Sequence, residues 1–343
     1  MSELRQNLAT KEWVIIAPER LKGEPLQSSA NPLMDSFPAY EYECPFCPRN
    51  IDRYETVELD SIPHPDPANP AKSKWLAQCI ENRYKIFSEG PASTPGSVEF
   101  DREGIYRRLA GHGNHELVIE SPEHNKAFAT MTVEEITAVV KLYLKRFDLL
   151  RDSNNLLTLI FKNSGPRSGA SQRHPHSQIV GMKVVPNYIR FLLEEAQRYF
   201  DSNGICVFCK MIDFELQEGK RIVYQNKGFV SYVPYAAFVP YEIRIFPQEH
   251  DALLGDMAEG EVIDFADCLQ KTMRKLYLAL SNPDFNLIFR NPPYALSGVP
   301  FYHWHLQVVP HIRHPGGFEL GSRVNVNVVL PEEAAGNLRR IEV

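Results

Sequence analysis

Two periods organise the hydrophobic and polar positions of this chain. Ile136, Val139, Val140, Tyr143, Phe147 and Leu150 follow one another at three- and four-residue steps, the spacing of a single helix face. Thr132-Val133-Glu134-Glu135 opens the stretch as a capping box, so a helix is predicted over 132–150. Val262, Phe265, Leu269, Met273, Leu276 and Leu280 repeat the pattern and predict a matching helix, and a further helix is expected over 187–201. Between them lie short apolar runs bounded by Gly, Pro and polar residues, which read as strands. These are Trp13–Ile16, Trp75–Ile80, Glu116–Glu120, Leu156–Phe161, the run from His176 toward Pro186, a β-rich stretch at Arg221–Tyr235, and the segments at 241–246, 287–291 and 303–310. The expected class is α+β.

The order of elements occurs twice. Leu159-Ile160-Phe161-Lys162-Asn163 leads through a loop to His174-Pro175-His176, and Leu287-Ile288-Phe289-Arg290-Asn291 leads through another to His303-Trp304-His305. Eleven positions separate Asn163 from His174 and twelve separate Asn291 from His303. Each half also opens with a CxxC pair, Cys44/Cys47 and Cys206/Cys209, and carries one isolated histidine shortly after a proline, His124 in Pro122-Glu123-His124 and His250 in Pro247-Gln248-Glu249-His250. An internal duplication is inferred, with units at 1–195 and 196–343, each an antiparallel sheet with packed helices.

Composition narrows the function. A chain of 343 residues that is 43% hydrophobic can bury two ordinary cores. A net charge of −6 without a basic block excludes a general nucleic-acid or membrane-surface binder. No charged-then-apolar leader and no apolar run of about 18 residues is present, which gives a cytoplasmic expectation. In a reducing compartment the two CxxC pairs read as metal ligands, while Cys79 and Cys268 sit in apolar stretches as core residues.

Cys, Cys, His, His is a closed tetrahedral set for zinc, and each half supplies one. The sets are Cys44, Cys47, His124 and His174, and Cys206, Cys209, His250 and His303, with His112 and His115 as rival ligands in the first. Side chains two apart on a strand share a face. With His174 tied to a metal, His176 presents its ring to the loop Asn163–Ser171, whose Gly and Ser residues suit a phosphate. A neutral imidazole can attack phosphorus directly, and Gln178, again two positions on, can donate to a phosphoryl oxygen. The second copy keeps His305 and Gln307, but its loop holds Pro292, Pro293 and Pro300, and proline has no N–H to give an oxyanion. That copy is expected to have lost transfer and kept metal binding.

These residues resemble the galactose-1-phosphate uridylyltransferase family of the histidine-triad superfamily. Phe161-Lys162-Asn163, Gly165, Gly169, Ser171 and His174-Pro175-His176-Ser177-Gln178 are similar to its catalytic stretch, and Gly317-Phe318-Glu319-Leu320 to its hexose-holding segment. The resemblance implies two histidine-triad-like halves, a nucleotidylated His176, and ping-pong transfer of UMP from UDP-glucose to galactose 1-phosphate. It further implies Gln178 and Ser171 on the phosphates, Asn163 and Asn82 near the nucleotide, Arg20 as a phosphate contact, and Phe318 and Glu319 on the sugar, in a zinc-containing homodimer with shared sites. Gly23 stands where some members carry a second Arg. Gly317–Gly321 followed by Asn327 also resembles a sister group that phosphorolyses ADP-glucose, which leaves base and acceptor open. A zinc-stabilised nucleotide-binding protein without turnover is the competing class.

Overall fold

The computed structural model describes residues 1–22, 31–50, 52–54, 56–66, 73–88 and 101–343; Gly23 lies outside them. In chain order β1 (Glu3–Gln6), β2 (Trp13–Ile16), β3 (Glu58–Pro63), β4 (Trp75–Glu81), a hairpin of β5 (Asp101–Glu103) and β6 (Tyr106–Arg108), and β7 (Gly113–Ile119) precede α1 (Val133–Asp152). Next come β8 (Leu157–Ser164), β9 (His176–Met182), α2 (Asn187–Asn203), α3 (Val207–Glu218), β10 (Ile222–Gln225), β11 (Phe229–Tyr232), β12 (Ile243–Pro247) and α4 (Glu259–Leu280). The chain ends with β13 (Phe285–Arg290), β14 (His305–Pro310), α5 (Gly317–Ser322), β15 (Asn325–Asn327) and α6 (Pro331–Arg339).

Ten of these strands form one antiparallel sheet in the order β10-β11-β12-β14-β13-β8-β9-β7-β4-β3. Read outward from its centre, each half has the same sequence of neighbours. The halves meet where β8 pairs β13, with Phe161 opposite Ile288. The duplication is therefore written in the topology.

Strand alternation explains how the sheet is used. On one face Ala77, Cys79, Val118, Ile160, Ile179, Leu287, Phe289, Leu306 and Val308 join α1 and α4 in a core that crosses the junction between halves. Every apolar residue of both predicted helical stripes is buried there. The α1 capping box forms as expected: Glu135 N donates to Thr132 Oγ1 at 3.2 Å and Thr132 N to Glu135 Oε2 at 2.7 Å. Phe147 is fully buried, and its truncation to Ala would cost about 3–5 kcal/mol.

One sequence alignment of the repeat is corrected by strand register. Phe161 lies opposite Gln178 in the first half, whereas Ile288, not Phe289, lies opposite Gln307 in the second. The counterpart of Asn163 is therefore Arg290 rather than Asn291, because a one-residue offset sends a side chain to the other face of a sheet. Asn291 instead accepts a hydrogen bond from Leu254 N at 3.1 Å.

A small sheet, β1-β2-β15, packs Val14 and Ile16 against Ala236 and Leu330 of the second half. Helix α2 runs across position 195, and its Leu193 and Ala196 join the second half's apolar cluster. The second CxxC opens into helix α3, with Cys206 at its N-cap, where sequence patterning shows only a knuckle. Among the described residues no helix is long and apolar enough to cross a membrane.

Candidate active site and metal centres

The first CxxC is shaped by polar locks on its backbone. Asn50 donates to the carbonyls of Glu41 and Cys44 at 3.0 and 2.7 Å and accepts from Tyr40 Oη, holding the turn so that Cys44 and Cys47 point one way. His124 is pinned by its backbone N–H to Ala39 O at 2.8 Å. His174 Nε2 donates to Ser121 O at 2.8 Å, which leaves Nδ1 for the cysteines. That outer partner fixes tautomer and ring orientation, as it does for metal-ligating histidines. The ligand atoms of Cys44, Cys47, His124 and His174 lie within 4.8 Å of one another, with Cys47 Sγ 3.7 Å from both imidazole nitrogens. Zinc–sulfur and zinc–nitrogen bonds of about 2.3 and 2.0 Å in a tetrahedron put ligand atoms roughly 3.3–3.8 Å apart. Burial pushes the Cys44 thiol up to about 12, so a cation is what would let this cluster ionise. Cys206, Cys209, His250 and His303 form the equivalent set, again within 4.8 Å, with Cys209 Sγ 3.2 and 3.5 Å from His250 and His303 Nδ1. Both predicted quartets could hold a metal ion, and the rivals His112 and His115 belong to neither.

His176 is the first residue of β9. Its Nδ1 donates to His174 O at 2.8 Å, leaving Nε2 with a lone pair. Burial and then the Lys162 charge lower its pKa, which keeps the ring neutral. The Phe46 ring from the first CxxC stands 5.1 Å from it. Behind the strand, Lys162 donates to Glu120 at 2.7 Å and to the His176 carbonyl at 3.2 Å, while Ser177 and Tyr143 also bond Glu120. Breaking such a buried pair costs about 3–5 kcal/mol, so this network anchors the strand that carries His176. None of it was assigned from sequence, because partners on two strands, a helix and the turn after β7 have no local signature.

The face away from the helices carries three cross-strand rows over β4, β7 and β9. His176 lies beside Ile119 and Gln78, Gln178 beside Leu117 and Ile80, and Val180 beside His115, whose backbone meets Asn82. Trp75, Ile80, Leu117, Ile119 and Phe46 make an apolar patch next to His176, rimmed by Gln178 and Asn82. Gln178 Oε1 accepts from His115 Nε2 at 2.8 Å. Asn163 Oδ1 accepts from Asn286 of the second half at 2.7 Å. The loop beyond Asn163 turns through Gly165 and Gly169, both at positive φ, and exposes Ser171. A cavity of about 280 Å³ opens on the helix side of this loop, but neither His176 nor Gln178 lines it. Arg20 is exposed on a 3-10 turn after β2. Phe318 is 54% exposed on α5, and Glu319 accepts its own helix's Gly316 N–H at 2.9 Å. A single chain thus assembles His176, Gln178, Asn82 and Asn163 around one face and leaves Phe318 and Glu319 apart.

The sequence model of a family described as galactose-1-phosphate uridyl transferase, N-terminal domain, matches residues 1–186, more than half of the chain. The chain belongs to this family. It is 31% identical over 347 residues to the ADP-glucose phosphorylase of Arabidopsis thaliana, covering 99% of this chain and 93% of that protein. It is 28% identical over 353 residues to the galactose-1-phosphate uridylyltransferase of Thermotoga maritima, covering 100% and 99%. The solved structure of the Arabidopsis phosphorylase with bound ADP-glucose superposes with a TM-score of 0.81 at 28% identity, over the full length of both chains.

Within this uridyl transferase family member the second half repeats the frame of the site but fills it. His305 Nδ1 faces His303 O at 3.3 Å, as in the first half, yet the imidazole is stacked on Phe246 at 4.6 Å. Arg244 pairs with Gln307 where Leu117 pairs with Gln178, and Tyr232 stands where Ile80 stands. Arg290 grips Gln307 Oε1 at 2.9 and 2.6 Å, and Gln307 Nε2 donates to Glu242 at 2.8 Å. The amide is held by charged partners on both sides, its oxygen by Arg290 and one of its two N–H donors by Glu242. Side chains occupying the floor, more than prolines in the loop, distinguish the two copies.

Proposed function

We propose that the protein is a UDP-glucose:hexose-1-phosphate uridylyltransferase that moves UMP from UDP-glucose to galactose 1-phosphate through a covalent His176 intermediate. The observation that carries this reading is the His176 ring, whose Nδ1–H is spent on His174 O and whose Nε2 is free to attack. Nε2 forms a bond to the α-phosphorus while the bond to the bridging oxygen breaks, and hexose 1-phosphate leaves with that oxygen. The positive charge that develops on the ring is stabilised through Nδ1–H by the carbonyl of His174. An oxygen of the incoming hexose 1-phosphate then attacks phosphorus and releases Nε2. Gln178 donates to the phosphoryl oxygens, Ser171 and the Gly165–Gly169 backbone receive the departing phosphate, and Asn163 lies near the nucleotide. The apolar patch of Ile80, Leu117 and Ile119 takes the base, and Asn82 the ribose edge. The first unit, 1–195, carries the transfer.

The two Cys/His quartets would hold zinc, two ions per chain, which the soft sulfur and imidazole donors and near-tetrahedral spacing suit; each ion would brace its half and, in the first, the strand start at His174. Phe318 and Glu319 would reach the sugar in the partner's site of a homodimer, and Arg20 would contact a phosphate. Exposure of Phe318 and of Leu320 on α5, at 54% and 63%, supports that assignment. Mixing His176→Ala with Glu319→Ala protein should then restore activity in hybrid dimers.

A second reading, phosphorolysis of an ADP-sugar, is favoured by the Arabidopsis relative. Inorganic phosphate would take the place of hexose 1-phosphate in the second step and leave as the β-phosphate of ADP. Incubation with α-labelled UDP-glucose or ADP-glucose, followed by a chase with galactose 1-phosphate or phosphate, separates the readings. Label retained from UDP-glucose and released by galactose 1-phosphate supports the first; label retained only from ADP-glucose and released by phosphate supports the second. No label from either refutes both.

A further inference from the structure

Among the buried histidines outside the metal quartets, His115 has the most constrained surroundings. It is 5% exposed and shares a face with Leu117 and Ile119, yet lies outside their apolar cluster. The backbone N–H of Ile86 donates to its Nδ1 at 3.1 Å. That bond selects the tautomer with the proton on Nε2, and this proton points at Gln178 Oε1, 2.8 Å away. Asn82 Nδ2 stands 2.9 Å from the same nitrogen with its Oδ1 taken by Tyr84 N, so it flanks this N–H as a second donor without bonding it. Burial lowers the His115 pKa, in keeping with a neutral ring.

A glutamine amide offers a carbonyl oxygen or an NH2 group of nearly the same shape, and rotation by half a turn exchanges them. Gln178 can stabilise a phosphoryl oxygen only with its NH2 forward; the reverse sets two oxygens against each other. Resting on the reading of His176 as nucleophile, we propose that His115 is a positioning residue: by capturing Gln178 Oε1 it commits the Gln178 amide to donate toward the phosphoryl group at His176. His115 itself touches no reacting atom. Its donor capacity, more than its ring, is what the role demands, and a glutamine in its place can supply an N–H.

The test uses the full-length protein and measures the single-turnover rate at which label from UDP-glucose or ADP-glucose appears on the chain. His115→Ala should slow labelling by roughly 10- to 100-fold, below the 10²–10³ typical of removing a donor outright, with metal content and melting temperature near wild type. His115→Gln should recover most of the rate. Gln178→Ala and the His115→Ala/Gln178→Ala double variant should be equally slow, since positioning a missing group adds nothing. Wild-type labelling by His115→Ala, fully additive losses in the double variant, or loss of a metal ion from His115→Ala would each overturn the proposal. A crystal structure of free His115→Ala provides a readout without turnover. Gln178 should leave its present rotamer; an unmoved Gln178 overturns the positioning role even where the wild type takes no label and the transfer reading itself has failed.

Discussion

Gly165 is the residue at which a single methyl group should do the most damage to the site. It begins the loop between Asn163 and His174 at φ +86° and ψ 161°, a region of backbone space that is essentially glycine's alone. A Cβ built there would lie 1.8 Å from Asp284 Oδ1. That carboxylate is committed: it accepts from Arg167 N at 2.9 Å and from Asn31 Nδ2, tying the loop to the second half and to the segment before the first CxxC. Gly165→Ala must therefore bear about 1–3 kcal/mol of backbone strain and also displace Asp284, at about 1.5–3 kcal/mol per lost hydrogen bond to a charged group. Releasing the loop alone is cheaper than unfolding the sheet, so the expected result is a detached loop on an intact fold. The nucleotidyl-transfer rate should fall by two orders of magnitude or more, by about 1.4 kcal/mol per tenfold, while the melting temperature drops only a few degrees. Adding Asp284→Ala should relieve the overlap but not the backbone strain, and recover part of the loop order, read by protease resistance near Arg167. Wild-type labelling kinetics in Gly165→Ala would refute the geometry on which the argument rests.

Replacing His176 with Gly should abolish labelling while sparing fold and metal content, and added imidazole should restore hydrolysis of the nucleotide sugar; an active His176→Ala protein would dispose of the nucleophile. Metal analysis should find about two zinc ions per chain, and the Cys206→Ser/Cys209→Ser protein one, with a lowered melting temperature; an unchanged metal content in that variant would remove the second site. His305→Ala should reduce activity only modestly, since its ring is packed on Phe246 and its companion Gln307 is bound by Arg290 and Glu242. Glu319→Ala should weaken use of hexose 1-phosphate more than formation of the labelled intermediate. A mass spectrum placing the nucleotidyl group on His305 would reverse the roles of the two halves.

Much of this molecule was legible from residue order, because the signals involved are local. The helices α1 and α4 follow from apolar residues at helical steps and, for α1, from a capping box that needs only four residues. The metal quartets were readable because duplication printed the same ligand order twice, and His176 and Gln178 because strand alternation puts every second side chain on one face. What the order of residues left undecided depends on contacts between distant segments. The likeness of Phe161-Lys162-Asn163 to Phe289-Arg290-Asn291 pairs the wrong residues, since register is set by which strands lie side by side, and one position of slip turns Asn291 away from the site. His115 read as a spare ligand until the sheet brought it to Gln178, and Lys162, Glu120, Tyr143 and Ser177 form one network only when β8, β9 and α1 are stacked. Asp284 and Asn286 act on the first half's loop from more than a hundred residues away, because β8 and β13 happen to be the strands at which the two copies join. Local periodicity determined which segments become helix and strand and which residue types could do chemistry; the packing of the two copies into one sheet decided which of two similar sites stays open, since only there do Arg244, Tyr232 and Arg290 fill the place that Leu117, Ile80 and Asn163 leave free.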